Sequence, residues 1–196
     1  PLTGSKVVIS QVYGGGGNSG ATYKNDFIEL YNGGPDSVDL SSTSVQYASA
    51  AGTTWQVTPL LGKVGPGNYY LVQESQGASG TTSLPTPDAA GSIMMSATAG
   101  KVALVNGTAA LTVGCPLGPR VVDFVGFGTT ATCFEGIGTP DNGTTATLTK
   151  TTAAIRKSVG KQDTNINGAD LVTGPPTHRT TTYAPLPPLT PVAVPQ

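Results

Sequence analysis

The chain has 196 residues, with ten Lys and Arg against eleven Asp and Glu and a net charge of −1. That is the length of one domain, and the balance excludes both a basic nucleic-acid footprint and an acidic tail. Only 11% of residues are charged, against about 25% in an average domain, so hydroxyls and amides must form much of the polar surface. The first predicted element is a strand over 6–13, with Val7, Ile9 and either Val12 or Tyr13 facing a core. After a glycine-rich loop at 14–25, a second strand over 26–31 places Ile28 and Leu30 on the core face and Phe27, Glu29 and Tyr31 on the other. Further strands are predicted at 37–40, 44–48, 54–58, 68–74, 92–96, 101–105, 111–113, 121–126 and 152–157, with 75–91 as loop. Turn signals separate them: Asn32-Gly33-Gly34-Pro35, Gly65-Pro66-Gly67, Asn106-Gly107 and Asn142-Gly143. Asn106-Gly107 predicts a hairpin over 101–113. From Gly174 the chain is Pro- and Thr-rich and cannot hold a ladder. The domain is therefore placed at 1–179, and 180–196 reads as a polyproline-type linker or extended arm.

Short strands between Gly, Pro and Asn turns, with no helical period, predict an all-β sandwich or barrel. Val7, Ile9, Ile28, Leu30, Leu71, Val122 and Phe124 are the expected core. The 27 Gly and 16 Pro do not make the chain disordered, because its apolar residues fall in regular runs. No stretch approaches the roughly 18 to 20 apolar residues of a membrane span. The start, PLTGSKVV, lacks a basic and apolar leader pattern, so any signal peptide is expected to be removed or to lie outside this sequence. Cys115 and Cys133 are the only cysteines, and their spacing fits neither a C-x-x-C redox motif nor a zinc site. A single disulfide is the preferred reading and two buried free thiols the alternative. The disulfide would tie down the Pro-rich loop and place the protein in an oxidising compartment.

Several stretches carry a family resemblance. They are the opening VVISQVYGGGGNSGATYKNDFIELYN; Val38-Asp39-Leu40-Ser41 followed by Val45-Gln46-Tyr47; and Val121–Gly128 followed by Cys133-Phe134-Glu135-Gly136. Ala154-Ile155-Arg156 and the run Gln162–Leu171 complete the pattern. In order and spacing they resemble the bacterial lamin tail domain, over about 6–179. The resemblance implies an immunoglobulin-like antiparallel β-sandwich of the lamin-tail type that binds or tethers and does not catalyse. Gln11 stands where many members carry Glu, and Leu171 replaces the usual Phe after Asp170, which weakens any argument from a shared acidic cluster.

The residues themselves offer little catalytic machinery. His178, the only histidine, starts the Pro-rich tail with nothing predicted to hold it, whereas a triad needs a base fixed against a nucleophile. Asp26, Glu29, Asp123 and Glu135 are the carboxylates that an acid/base pair or a two-metal site would use. The structural alternative pairs Glu29 with Arg156 and lets Asp26 and Asp123 bond backbone amides at strand ends. Asp163, Asn165, Asn167 and Asp170 alternate as in the first half of a calcium loop, yet the bidentate Glu of such loops is missing and an Asx-rich turn explains the same pattern. Calcium is thus the one cofactor the sequence suggests. Gly14–Gly17 precede no helix, so a flexible loop is expected there and not a phosphate cradle. Trp55, Tyr69, Tyr70 and Tyr47 form either a sugar platform or core.

The expected function is a non-catalytic binding or tethering module of a secreted or cell-surface protein, with no catalytic residues. Its expected partner is a protein or a polysaccharide, with no nucleic acid bound by this domain alone and no membrane span. The chain is expected to be a monomer or part of a larger multidomain protein. The alternatives are an accessory domain of a secreted metal-dependent nuclease or phosphatase, and a structural spacer.

Overall fold

The computed structural model describes residues 6–136 and 145–181. A six-stranded sheet runs in the order β12-β11-β1-β2-β7-β8 and a four-stranded sheet in the order β10-β9-β4-β5. The first contains β1 (Val7–Tyr13), β2 (Asn25–Asn32), β7 (Tyr69–Gln76), β8 (Ala89–Ala90), β11 (Ala153–Arg156) and β12 (Leu171–Gly174). The second contains β4 (Thr43–Ser49), β5 (Gln56–Pro59), β9 (Gly100–Asn106) and β10 (Val121–Phe127). A short ribbon pairs β3 (Val38–Asp39) with β6 (Lys63–Val64). Every pairing is antiparallel except β7 with β8. The only regular helix among the described residues is one turn, α1 (Asn167–Asp170). The fold is the expected all-β, immunoglobulin-like sandwich.

The main core lies between the two large sheets. Ile9, Val12, Ile28, Leu30, Tyr70 and Val72 from one sheet meet Val45, Tyr47, Val102, Leu104, Val125 and Phe127 from the other. Ile9 and Val12 are three residues apart, so an unbroken strand would point them to opposite faces. A bulge between Ile9 and Gln11 absorbs the extra residue and turns both into the core. It sends Tyr13 to the outer face, where its ring packs 5.4 Å from that of Phe27. Val122 is half-buried against the core, and the other six expected core residues are buried.

Both sheets are covered on their outer faces too, which is why all eight residues of β2 are buried. Tyr13, Tyr23, Phe27 and Leu71 form a cluster outside the six-stranded sheet. Ala48, Trp55, Ala103, Val105, Phe124 and Cys133 form another outside the four-stranded one. The four aromatics weighed as a sugar platform, Trp55, Tyr69, Tyr70 and Tyr47, are all buried and belong to the core.

Several sequence expectations need correction. No hairpin forms over 101–113: β9 pairs with β4 and β10, and 111–113 is not a strand. The backbone polar groups of that segment are taken instead by side chains, Leu111 N donating to Gln46 and Trp55 donating to Val113 O. Residues 92–96 are not a strand either, since the amides of Ile93 and Met95 donate to Glu74 and Asp26. The expected loop 75–91 contains β8, while β6 and β12 arise where no strand was predicted. The Asn142-Gly143 turn and most of the 180–196 segment lie outside the described residues.

Cys115 and Cys133 are bonded to each other, with Cα atoms 5.3 Å apart at a sequence separation of 18. Replacing both with Ser should cost about 3 kcal/mol in denaturant unfolding while the β spectrum survives, because most strands lie outside the closed loop. Collapse of the spectrum, or no loss of stability, would show that the bond plays another part.

Candidate functional site

Three arrangements of polar side chains organise the surface from within. The first is centred on Arg156, fully buried at the end of β11. Its Nε donates to Ile9 O at 2.8 Å, and NH2 donates to both oxygens of Asp123 at 3.0 and 2.8 Å. NH1 donates to Gln162 O and to Asp163 Oδ1, each at 3.1 Å, and lies 3.7 Å from Asp170 Oδ2. Asp123 also accepts the amides of Ile9 and Phe124, so its charge is met by one guanidinium nitrogen shared between its two oxygens and by two N–H groups.

Glu135 joins this centre as a third carboxylate. One oxygen each from Asp123, Glu135 and Asp163 lie within 4.8 Å of one another, the only trio of His, Cys, Asp or Glu side chains among the described residues spaced to share a cation. The Arg156 guanidinium already supplies positive charge there. Burial, then the negative charges of Asp123 and Asp163, push Glu135 up to about 9. Burial also raises Asp123, and the directly bound Arg156 opposes that rise.

Of the suggested calcium run, the side chains of Asp163, Asn167 and Asp170 bond protein groups, and Asn165 is engaged through its backbone N–H. Asp163 meets Arg156, and also accepts the amide of Asn165, itself left-handed at φ 55°. Asp170 accepts Thr164 N at 2.7 Å, Thr164 Oγ1 at 2.9 Å and Ile166 N at 3.3 Å. The Asn167 amide replaces a missing neighbour strand: it donates to Phe124 O and accepts from Gly126 N along the free edge of β10. Of the four carboxylates weighed for catalysis, the structure brings Asp123 and Glu135 together and places Glu29 and Asp26 elsewhere.

Glu29 does not pair with Arg156. It faces the outer side of the sheet, where Arg179 meets it through NH2 at 2.8 Å and through its own backbone amide at 2.6 Å. Ser10, the bulge residue, donates to the same carboxylate at 2.6 Å. Around this pair the chain forms a strap. The Gln11 amide exchanges two hydrogen bonds with Thr177, the Arg179 guanidinium stacks 3.8 Å from the Tyr69 ring, and Thr181 bonds Asp88. His178 is held after all, its ring edge-on to Tyr23 at 5.0 Å. Burial lowers its basicity, and its buried Nδ1 has no hydrogen-bond partner among the described residues. The alternation Thr177, Arg179, Thr181 signals a strand-like strap, but the preceding Pro175-Pro176 obscures it in the sequence.

The third arrangement clamps the irregular loop 107–120. Ser44 donates to Gly107 O, Gln46 to Ala109 O, Trp55 to Val113 O, and Lys101 to the carbonyls of Gly52 and Gly114. Lys101 is fully buried without a carboxylate, 5.8 Å from the Trp55 ring centre, and burial lowers its pKa. A lysine is seldom buried this way; here its charge is directed at two backbone carbonyls that fix the loop. The disulfide closes the far end. Leu111, Val113, Pro116, Leu117, Pro119 and Arg120 line a groove of about 490 Å³ on this loop, with Val113 and Leu117 more than half exposed.

The lamin tail domain model matches residues 2–162. The chain belongs to the lamin tail domain family. That family is a non-enzymatic, immunoglobulin-like one, in keeping with the sandwich. The matched stretch ends before the 163–170 run and the strap. Among solved structures, a DUF4876 family protein from Bacteroides thetaiotaomicron VPI-5482 is similar at TM-score 0.57 and 14% identity, covering 93% of this chain and 74% of that one. No curated protein matches. No helix among the described residues of this lamin tail domain is long and apolar enough to cross a membrane.

Two outcomes are expected of the charged centres. Arg179→Ala should destabilise the fold by about 3 kcal/mol by leaving Glu29 buried and unpaired, and adding Glu29→Gln should restore much of that loss; additive losses in urea unfolding would deny the pairing. Glu135, ordinarily near 4.5, keeps its proton in the folded state up to about 9. The stability it contributes is complete below the unfolded value and is lost as pH rises through about 9. Tm should therefore fall between pH 5 and 9, and Glu135→Gln should flatten the decline.

Proposed function

We infer that this lamin tail domain is a non-catalytic binding or tethering module of a secreted or cell-surface protein. The observation that carries the reading is the clamped loop. Buried side chains from β4 and β9, Trp55 beside β5 and a disulfide hold an irregular segment that presents exposed Val113 and Leu117. Fixing a loop before it meets a partner removes the ordering entropy from association, and exposed apolar groups on a fixed loop are the material of a recognition surface. The disulfide supports an oxidising, extracellular setting. The strap supports tethering: Thr177, Arg179 and Thr181 bind the last described residues to the sheet, so tension applied through the C-terminal end of the chain is borne by the sandwich.

A protein or polysaccharide partner fits the mixed apolar and Arg120 lining of the groove. The test is retention of labelled domain on cell-envelope and exopolysaccharide fractions of the source organism. Wild type should be retained, and the Val113→Asp/Leu117→Asp double variant should lose at least about 1.4 kcal/mol of affinity, a factor of ten, at unchanged Tm. Equal retention of both proteins would remove the loop from the account. Hydrolysis of DNA, phosphoesters, peptides or glycosides by the purified domain, lost in Glu135→Gln, would overturn the non-catalytic reading.

A further inference from the structure

Beside the Arg156 centre, residues of β1, β2 and β10 and of the turn after β11 enclose a pocket of about 450 Å³, within the range of about 300 to 1,000 Å³ usual for small-molecule sites. Lys6, Val8, Tyr31, Val122, Lys161 and Asp163 line it. None of them belongs to the 107–120 groove or to the 177–181 strap.

Tyr31 forms the base. It faces Val8 across the β1–β2 pair, and its ring lies 5.0 Å from that of Tyr69. Two glycines press on it: a Cβ on Gly160 would stand 3.3 Å from the Tyr31 Cβ, and one on Gly33 would stand 3.3 Å from Cε1. The residue is only 5% exposed, yet its hydroxyl bonds no group among the described residues and is not sealed from solvent. A buried tyrosine ordinarily finds a partner for its hydroxyl; this one opens on the pocket with that bond unmade. The turn on the opposite wall is strained. Ser158, Val159 and Gly160 are left-handed in succession, with φ of 53°, 59° and 85°, which a residue branched at Cβ rarely adopts. Tyr69 holds it by donating its hydroxyl to Val159 O at 2.6 Å. Strain of this kind gathers at ligand clamps, and here it sets Gly160 and Lys161 against the pocket.

The ammonium groups of Lys6 and Lys161 pair with no protein group among the described residues. Two free cations and a phenol donor suit an anion. Asp163, held by Arg156 at 3.1 Å, adds an acceptor on the same rim, and its charge disfavours a dianion such as a phosphate ester. Val8 and Val122 supply an apolar wall. A single negative charge, hydroxyls to donate and accept, and an apolar ring face are together the chemistry of an acidic sugar.

We propose that this pocket binds a uronic acid residue of an acidic polysaccharide, with Lys6 and Lys161 holding its carboxylate and the Tyr31 hydroxyl and Asp163 its hydroxyls. The proposal does not rest on the 107–120 loop.

The test is affinity electrophoresis of the full chain at low ionic strength, in gels holding polygalacturonate, its fully methyl-esterified form or dextran, each read against a polymer-free gel. Polygalacturonate should retard the protein and the two neutral polymers should not. Lys6→Gln/Lys161→Gln should weaken the binding about tenfold, and Tyr31→Phe, which keeps the ring beside Tyr69, about threefold. Lys63→Gln, outside the pocket, should leave it unchanged, as should Val113→Ser/Leu117→Ser, so that failure here and failure of the loop reading are told apart. Free galacturonate should compete at lower concentration than inorganic phosphate. A wild-type protein that is not retarded overturns the proposal, whether or not the variants fold. Equal weakening by Lys63→Gln, or none by Tyr31→Phe, overturns it as general charge attraction. Stronger competition by phosphate overturns it too, and assigns the pocket to phosphoryl groups.

Discussion

Arg156 ties together parts of the chain that no strand pairing joins. Its guanidinium reaches the backbone of β1, the Asp123 carboxylate on β10 of the opposite sheet, and the segment from Gln162 to Asp170 beyond β11. The apolar core holds the sheets face to face without regard to direction. This centre fixes how their edges meet, because a planar fork with directed donors tolerates few orientations. Asp123 and Arg156 are both fully enclosed, so each depends on the other to offset the loss of water. Once Asp123 is in place, Asn167 can lie along the edge of β10 and Glu135 can settle beside it as a neutral acid.

Elsewhere the same logic recurs with different residues. Where a sheet's outer face would meet solvent, side chains reach from the strands to hold irregular chain against it. Glu29 and Gln11 do this for the 177–181 strap, and Gln46, Trp55 and Lys101 for the 107–120 loop. The low charge content reflects this arrangement, since little of either sheet is left for solvated Lys and Glu. It also explains a protein whose most polar strand residues, Ser10, Gln11, Glu29, Gln46 and Lys101, are buried. Gln11, Glu29, Gln46 and Lys101 bind the backbone of the covering segments, Ser10 supports Glu29, and the segments so fixed are the ones available to a partner.

Much of the architecture was legible in the sequence. Period-two alternation placed Ile28 and Leu30 in the core, the turn dipeptides located most strands, and the Glu-Leu-Tyr-Asn motif with the later Asp and Arg pointed to the family. Alternation failed where a bulge intervened: Val12 and Tyr13 are distinguished only by Ser10, the extra residue that no local pattern marks. Asn106-Gly107 misled because a turn signal reports only local geometry. The partners of β9 are β4 and β10, and a long-range pairing leaves no mark on the residues beside the turn. The polar centres were least legible of all. Glu29 and Arg179 are 150 positions apart, and their pairing depends on a strap whose alternation is hidden behind two prolines.

The claim that Arg156 sets the meeting of the two sheets has a direct test in the equilibrium unfolding of Arg156→Met, which keeps an unbranched side chain and removes the charge. The account predicts a loss of about 3–5 kcal/mol, the cost of leaving Asp123 buried without its cation, and a smaller loss when Asp123→Asn is added. A loss below about 1 kcal/mol, the usual worth of an exposed ion pair, would contradict it and leave the sheets held by the apolar core alone.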